Sequence, residues 1–214
     1  MKIKKSGIAL DIDETLSNTA LHWFSSMIKL FGTPEKLTAK EMIIKYKYTK
    51  HVPYWQTKEA QEWLNSQRMS NNMQREIPLI KNSNHSVEKI NKIIPIVAYL
   101  TVRPNSVEKG TKDWLLKHNF PVAKIICRPD NIAFSDGNKW KAKMLTELYP
   151  KVLGIIDDNP ELLTFLPTDY KGTIFVYGSE HIETKLNAIP CKDWKTTLEE
   201  VQRVFHLEKK EFKQ

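Results

Sequence analysis

Five short apolar runs stand out along the chain, at residues 8–12, 95–101, 124–127, 153–157 and 173–177. Each is only ~4–7 residues long, and most are rich in Ile and Val, which suits strands buried on both faces of a sheet. Helical patterns separate the last four. Over 107–118 the apolar residues Trp114, Leu115 and Leu116 recur at helical spacing, and over 140–149 Met144, Leu145 and Leu148 share a face. Residues 160–165 read as a short helix with Pro160 in its first turn. Strands alternating with helices predict an α/β fold, a parallel sheet of about five strands with helices on both faces and right-handed crossovers.

The gap between the first two strands is too long for a simple crossover. It carries helical candidates at 20–31, closed by Gly32 and a Thr33-Pro34 turn, at 38–48, and at 54–69. Thr38 followed three residues on by Glu41 predicts a capping box. A fourth pattern, 86–93, leads back to the sheet through Pro95. The expected organisation is a core of residues 1–17 and 81–214 with a small α-helical cap, residues 18–80, inserted after the first strand's carboxyl edge. Residues 178–188 read as a looser segment. Residues 194–211 read as a charged amphipathic helix with Leu198, Val201, Val204 and Phe205 on its apolar side.

Composition changes this picture little. At 41% hydrophobic and 27% charged, the 214 residues are ordinary for a globular protein. No apolar run approaches the ~18 residues of a membrane span. Residues 1–7 are basic, but only residues 8–10 follow as an apolar run, less than the ~7–15 residues a signal peptide needs. The expectation is a cytoplasmic chain without membrane contact, its Cys127 and Cys191 reduced and structural. The formal net charge of +8 favours anionic substrates by steering. A nucleic-acid partner is the less favoured reading, because the lysines, including Lys209, Lys210 and Lys213, look spread out and no dense basic run with interleaved aromatics stands out.

The candidate chemistry gathers at strand ends. The first strand runs into Asp11-Ile12-Asp13-Glu14-Thr15. Two carboxylates converging at the edge of an open sheet repel each other, and a divalent cation with oxygen ligands, foremost Mg²⁺, relieves that repulsion. The second strand ends in Thr101-Val102-Arg103-Pro104, and the fourth in Asp157-Asp158-Asn159-Pro160. The helix after the third begins Asn138-Lys139-Trp140-Lys141-Ala142-Lys143. Any one of these is commonplace as a turn or a cap. The ordered set matches what phosphoryl transfer needs. A carboxylate nucleophile, Asp11, forms an aspartyl-phosphate, and a second carboxylate, Asp13, moves the protons. The Thr101 hydroxyl and a lysine hold phosphate oxygens, while Asp11, Asp157 and the main-chain carbonyl of Asp13 hold the metal.

Asp-x-Asp-x-Thr, then Leu-Thr-x-Arg-Pro, then a helix lysine, then Asp-Asp resembles the haloacid dehalogenase-like hydrolase superfamily, the aspartate-nucleophile phosphatases. The resemblance covers the whole chain, with the cap between the first two motifs. It implies a Rossmann-like core, Mg²⁺ and phosphate-ester hydrolysis, with Asp11, Asp13, Thr101 and Asp157 on the four-motif pattern. An aspartate two residues after the first fits the phosphatase branch and argues against dehalogenation. Of the lysines, Lys141 is the first choice, since it shares a helix face with Leu145; Lys143 is second and Lys139 third. Asp158 is either a further metal group or an N-cap. The resemblance also places a further acid at Glu161. Arg103 either contacts substrate or pairs with an acidic neighbour.

The cap is rich in aromatics: Trp23, Phe24, Tyr46, Tyr48, Tyr54, Trp55 and Trp63. Most at helical spacing read as core, yet an aromatic over the cleft would stack on a base. Cap placement is similar to the deoxyribonucleotidase-like branch. The expected substrate is therefore a small phosphorylated metabolite such as a nucleoside monophosphate. The alternatives are a nucleic-acid end-processing phosphatase and a non-catalytic phosphate-binding module.

Overall fold

The computed structural model describes residue 3 and residues 5–211, and for residues 206–211 the helical backbone alone. Lys213 and the side chains of Lys209 and Lys210 lie outside the described residues. The chain opens with β1 (Gly7–Leu10) and then enters a helical insertion of α1 (Thr19–Phe31), α2 (Ala39–Tyr46), α3 (Lys58–Arg68) and α4 (Asn71–Glu76). Next come α5 (Ser83–Ile93), β2 (Ile96–Pro104), α6 (Glu108–Lys117), β3 (Lys124–Arg128) and α7 (Gly137–Leu148). The chain ends with β4 (Val152–Asp157), α8 (Leu162–Phe165), β5 (Thr173–Tyr177), β6 (Ala188–Cys191) and α9 (Trp194–Glu211).

The strands form one sheet in the order β3-β2-β1-β4-β5-β6, each neighbouring pair parallel. This is the Rossmann-like doubly wound order, and it reverses direction between β1 and β4, where such sheets open a ligand crevice at their carboxyl ends. The sheet has one strand more than expected. β6 falls almost wholly between the looser segment read at 178–188 and the helix read from 194, in residues the apolar pattern leaves unassigned, because Ala188-Ile189-Pro190-Cys191 is short and contains a proline. Proline is tolerated there because β6 is an edge strand, bonded to β5 alone.

Both sheet faces are covered, and the alternation along each strand sorts the side chains between them. Ile8, Leu10, Tyr99, Ile156 and Phe175 pack under α5, α6 and α9 with Trp114 and Val201. Ala9, Leu100, Ile155, Ile174 and Val176 face α7 and α8, with Trp140, Leu145 and Leu162. The insertion has an apolar cluster of its own, built on Phe24, Met27, Met42, Trp55 and Leu64. Its helices start where their caps say. Thr38 and Glu41 make the reciprocal capping box of α2, and the Thr57 hydroxyl accepts from the Ala60 N–H at the start of α3.

α4 is packed differently from the rest of the insertion. Asn71 donates to the Ser106 carbonyl at 3.1 Å and accepts from the Gly110 N–H at 2.5 Å. Arg75 pairs with Asp113 at 2.7 Å, and the Trp114 indole donates to the Ile77 carbonyl at 2.6 Å. α4 is thus seated on α6 of the sheet layer. Cys127 and Cys191 are free and buried, and burial pushes both thiols up to about 12. No helix among the described residues is long and apolar enough to cross a membrane.

Candidate active site

Strand alternation sets the first contact. Ala9 and Ile155 face α7, so Asp11 and Asp157, each two residues on, lean to the same side at the carboxyl edge. The Asp11 N–H still bonds the Ile156 carbonyl at 2.9 Å, which holds the two strand ends together. From α7, Lys141 shares a face with buried Leu145 one turn on. Its ammonium donates to Asp11 Oδ1 at 2.7 Å and to Asp157 Oδ2 at 2.8 Å. All three residues are at most 5% exposed. Lys139 and Lys143 face solvent, Lys143 within 3.8 Å of Glu147.

The charges there do not balance. Asp11, Asp157 and Asp158 each offer a carboxylate oxygen, all within 4.8 Å of one another, against the single ammonium of Lys141. Burial, with repulsion from Asp157 and Asp13 added and Lys141 opposing, pushes Asp11 up to about 7. Burial and the charges of Asp11 and Asp157 likewise push Asp158 well up. For Lys141, burial opposes the charge, but Asp11 and Asp157 outweigh it and hold the ammonium above its ordinary value. A crowded set of oxygen donors carrying excess negative charge fits a hard divalent cation. The Asp158 side chain accepts from Thr15 at 3.4 Å, and α8 begins beyond it with Glu161 at its N-cap.

Asp13 goes elsewhere. It has left the strand, and Arg103 grips it from the neighbouring β2, Nε at 3.1 and 3.0 Å from the two carboxylate oxygens and Nη2 at 2.7 Å from Oδ1. Arg103 also donates to Ser17 at 3.0 Å, and its guanidinium lies over the Trp114 ring at 5.9 Å. Thr19, the first residue of α1, donates to Asp13 at 2.6 Å. Burial works against the Asp13 charge, but the Arg103 guanidinium and these hydrogen bonds outweigh it and hold the carboxyl below its ordinary range. Of the two readings of Arg103, the structure has the pairing with an acidic neighbour. Thr101 is fully buried, with its hydroxyl accepting from the Arg103 N–H at 3.2 Å. β2 runs on to Pro104, so Thr101 sits inside the strand rather than at its end. Glu161 is exposed and accepts from Asn138 at 2.9 Å.

Two features are absent from the sequence reading. Glu14 takes a left-handed backbone, φ 57°, and its carboxylate accepts from the Ala20 N–H at 2.5 Å. It thereby caps α1, where negative charge suits the helix dipole. Burial, with the Asp13 charge added, pushes it up to about 7. The second is Lys45-Tyr46-Lys47-Tyr48-Thr49-Lys50-His51, a basic run with interleaved aromatics that the reading of scattered lysines passes over. Of the insertion's aromatics, Trp23, Phe24 and Trp55 are core, while Tyr48 is 43% exposed.

No family model and no curated protein matches the sequence. Solved structures do match. A HAD-superfamily hydrolase of subfamily IA, variant 1, from Geobacter sulfurreducens PCA aligns with 92% of this chain and 96% of its own, at TM-score 0.52 and 8% identity. The chain has the haloacid dehalogenase-like hydrolase fold. A dehalogenase aligns over 95% of this chain and 98% of its own, at TM-score 0.52 and 12% identity. At such identities the likeness is one of fold, and the chemistry has to be argued from the residues.

Proposed function

We propose that the chain is a Mg²⁺-dependent phosphomonoesterase that works through an aspartyl-phosphate on Asp11. The observation that carries this reading is Lys141 bridging Asp11 and Asp157 beside Asp158, a single ammonium among three carboxylates at the sheet's switch point. One oxygen of Asp11 attacks phosphorus in line, and the bond to the ester oxygen breaks. Asp13 gives its proton to that leaving oxygen. Water then attacks the phosphorus of the aspartyl-phosphate and passes a proton to Asp13, and the bond to Asp11 breaks. Arg103 favours the ionised Asp13, which suits the second step. A bound phosphate dianion nearby raises the proton affinity of Asp13, which suits the first.

Asp11, Asp157, Asp158 and the main-chain carbonyl of Asp13 would hold Mg²⁺, which shields the nucleophile from the phosphate's charge. Lys141 and the Thr101 hydroxyl orient phosphate oxygens. We further propose that residues 18–80 act as a cap, attached as they are by α1 to both Asp13 and Glu14. Under that cap the favoured substrate is a small phosphorylated metabolite of the nucleoside monophosphate class, in a cytoplasmic setting. The test is phosphate release with Mg²⁺ from nucleotides and sugar phosphates. Release that disappears in Asp11→Asn is expected; undiminished release in that variant would rule out the covalent route.

A further inference from the structure

The cations of the insertion are unevenly partnered. Lys45 meets Glu35 at 2.6 Å, and Lys58 meets Glu62 at 3.8 Å. Lys47, Lys50 and Arg68 lie instead on aromatic rings, with no carboxylate partner among the described residues. The ammonium groups of Lys47 and Lys50 stand 5.3 and 5.5 Å from the centre of the Tyr48 ring. The Arg68 guanidinium stands 5.7 Å from that of Phe134. Its side chain donates to the Thr49 hydroxyl at a long 3.4 Å. Arg68 is half-buried, and burial draws its pKa below the ordinary value, as expected of a cation without a counter-ion.

These groups are continuous. Thr49 joins Tyr48 to Lys50, and the Thr49 hydroxyl touches Arg68 at the end of α3. Arg68 covers Phe134, which lies in the turn just before α7, the helix of Lys141. His51 meets the edge of Tyr48 at 5.5 Å. Phe134 is 69% exposed, so much of its ring stays open to solvent beside the Arg68 guanidinium. The result is a stripe with two open rings and three uncompensated cations. It runs from the insertion to the rim of the sheet's carboxyl edge.

A small phosphate ester, already served by Lys141, needs no such stripe. Cations interleaved with open aromatic faces suit a chain of phosphates carrying unstacked bases. A duplex hides its base faces, and an acidic protein leaves the rings without a stacking partner. We propose that the stripe binds single-stranded nucleic acid, its phosphates on Lys47, Lys50 and Arg68 and its bases on Tyr48 and Phe134, so that a terminal phosphate ester is led to Asp11. The binding stands on the stripe alone; the delivery to Asp11 rests on the phosphatase reading.

The test is fluorescence anisotropy of a labelled oligothymidylate, with and without a 3′-phosphate, on the full chain over a salt series. Three phosphate contacts on a single strand predict a log–log salt slope of about −2, roughly fifteen-fold weaker binding for a four-fold rise in salt. Lys47→Glu with Lys50→Glu should abolish binding, and Tyr48→Ala or Phe134→Ala should weaken it about ten-fold. All are exposed positions, so p-nitrophenyl phosphate hydrolysis should be unchanged. Absence of binding at low salt overturns the proposal. So does equal binding by the charge-reversed variant, equal affinity for a duplex, or displacement by polyglutamate at matched charge. Binding as described without hydrolysis of either p-nitrophenyl phosphate or the 3′-phosphate would sink the phosphatase reading and the delivery step, but not the surface.

Discussion

At the scale of residues, the two aspartates of Asp-x-Asp sit in opposite environments. Asp11 is buried among carboxylates and leans toward keeping its proton, while Asp13 is clamped by a guanidinium and leans toward losing it. In the proposed mechanism Arg103 acts through Asp13, which makes it a positioning residue. Arg103→Ala should lower kcat about 10²-fold, the low end of what acid–base catalysis contributes. The loss should be larger for an alkyl phosphate, whose leaving oxygen needs a proton, than for p-nitrophenyl phosphate. Arg103→Lys restores the charge but not the fork, so recovery should be partial. Destabilisation of roughly 2–3 kcal/mol is expected, below the ~3–5 of a fully buried pair because the Asp13 side chain keeps 32% of its exposure. A uniform loss across leaving groups would mean Arg103 serves the fold alone. The position of Lys141 was legible in the sequence because an apolar residue one turn away marks the buried face. The Asp13–Arg103 pair was only one of two readings, since 90 positions separate the partners and no local pattern connects them.

At the scale of elements, long and strongly patterned segments were legible and short ones were not. Five strands and the major helices follow from apolar runs and caps, as at Thr38 and Glu41. β6 was missed because its proline reads as a break, and only its place at the sheet edge makes it a strand. α4 was missed because six residues give too little periodicity to read. Its place depends on tertiary contact. A Cβ at Gly110 would lie 2.3 Å from the Asn71 carbonyl oxygen, so α4 and α6 can approach this closely only over a glycine. Gly110→Ala should force them apart at a cost of about 1–3 kcal/mol. For a chain of this length that lowers Tm by about 2–4 °C per kcal/mol, measurable by thermal unfolding. An unchanged Tm would mean the contact is looser than described.

At the scale of the whole molecule, a chain of net charge +8 holds a carboxylate cluster at the switch point of its sheet. On the proposed reading the two signs serve different partners: the outer field draws an anionic substrate in, and the buried cluster takes a cation. That gives a linkage between pH, metal and stability. The folded chain holds Asp11 at about 7, against 3.8 for the free group. Without metal, the folded state therefore keeps a proton that the unfolded chain has released. The contribution of this group to stability is complete below about pH 4 and is lost as pH rises to about 7. Asp158, raised in the same direction, adds to the same trend. On the proposed reading Mg²⁺ would compete with those protons and bind the ionised cluster, so its stabilisation should grow over the same window. Thermal unfolding with and without Mg²⁺ should show a small rise in Tm near about pH 5 and a clearly larger one near about pH 8. In Asp11→Asn the metal-free Tm should fall less with pH, and the Mg²⁺ shift should shrink at both values. An Mg²⁺ shift independent of pH would place the cation away from Asp11 and Asp158. No shift at any pH would argue that Lys141 alone neutralises the cluster and that the site takes no divalent cation.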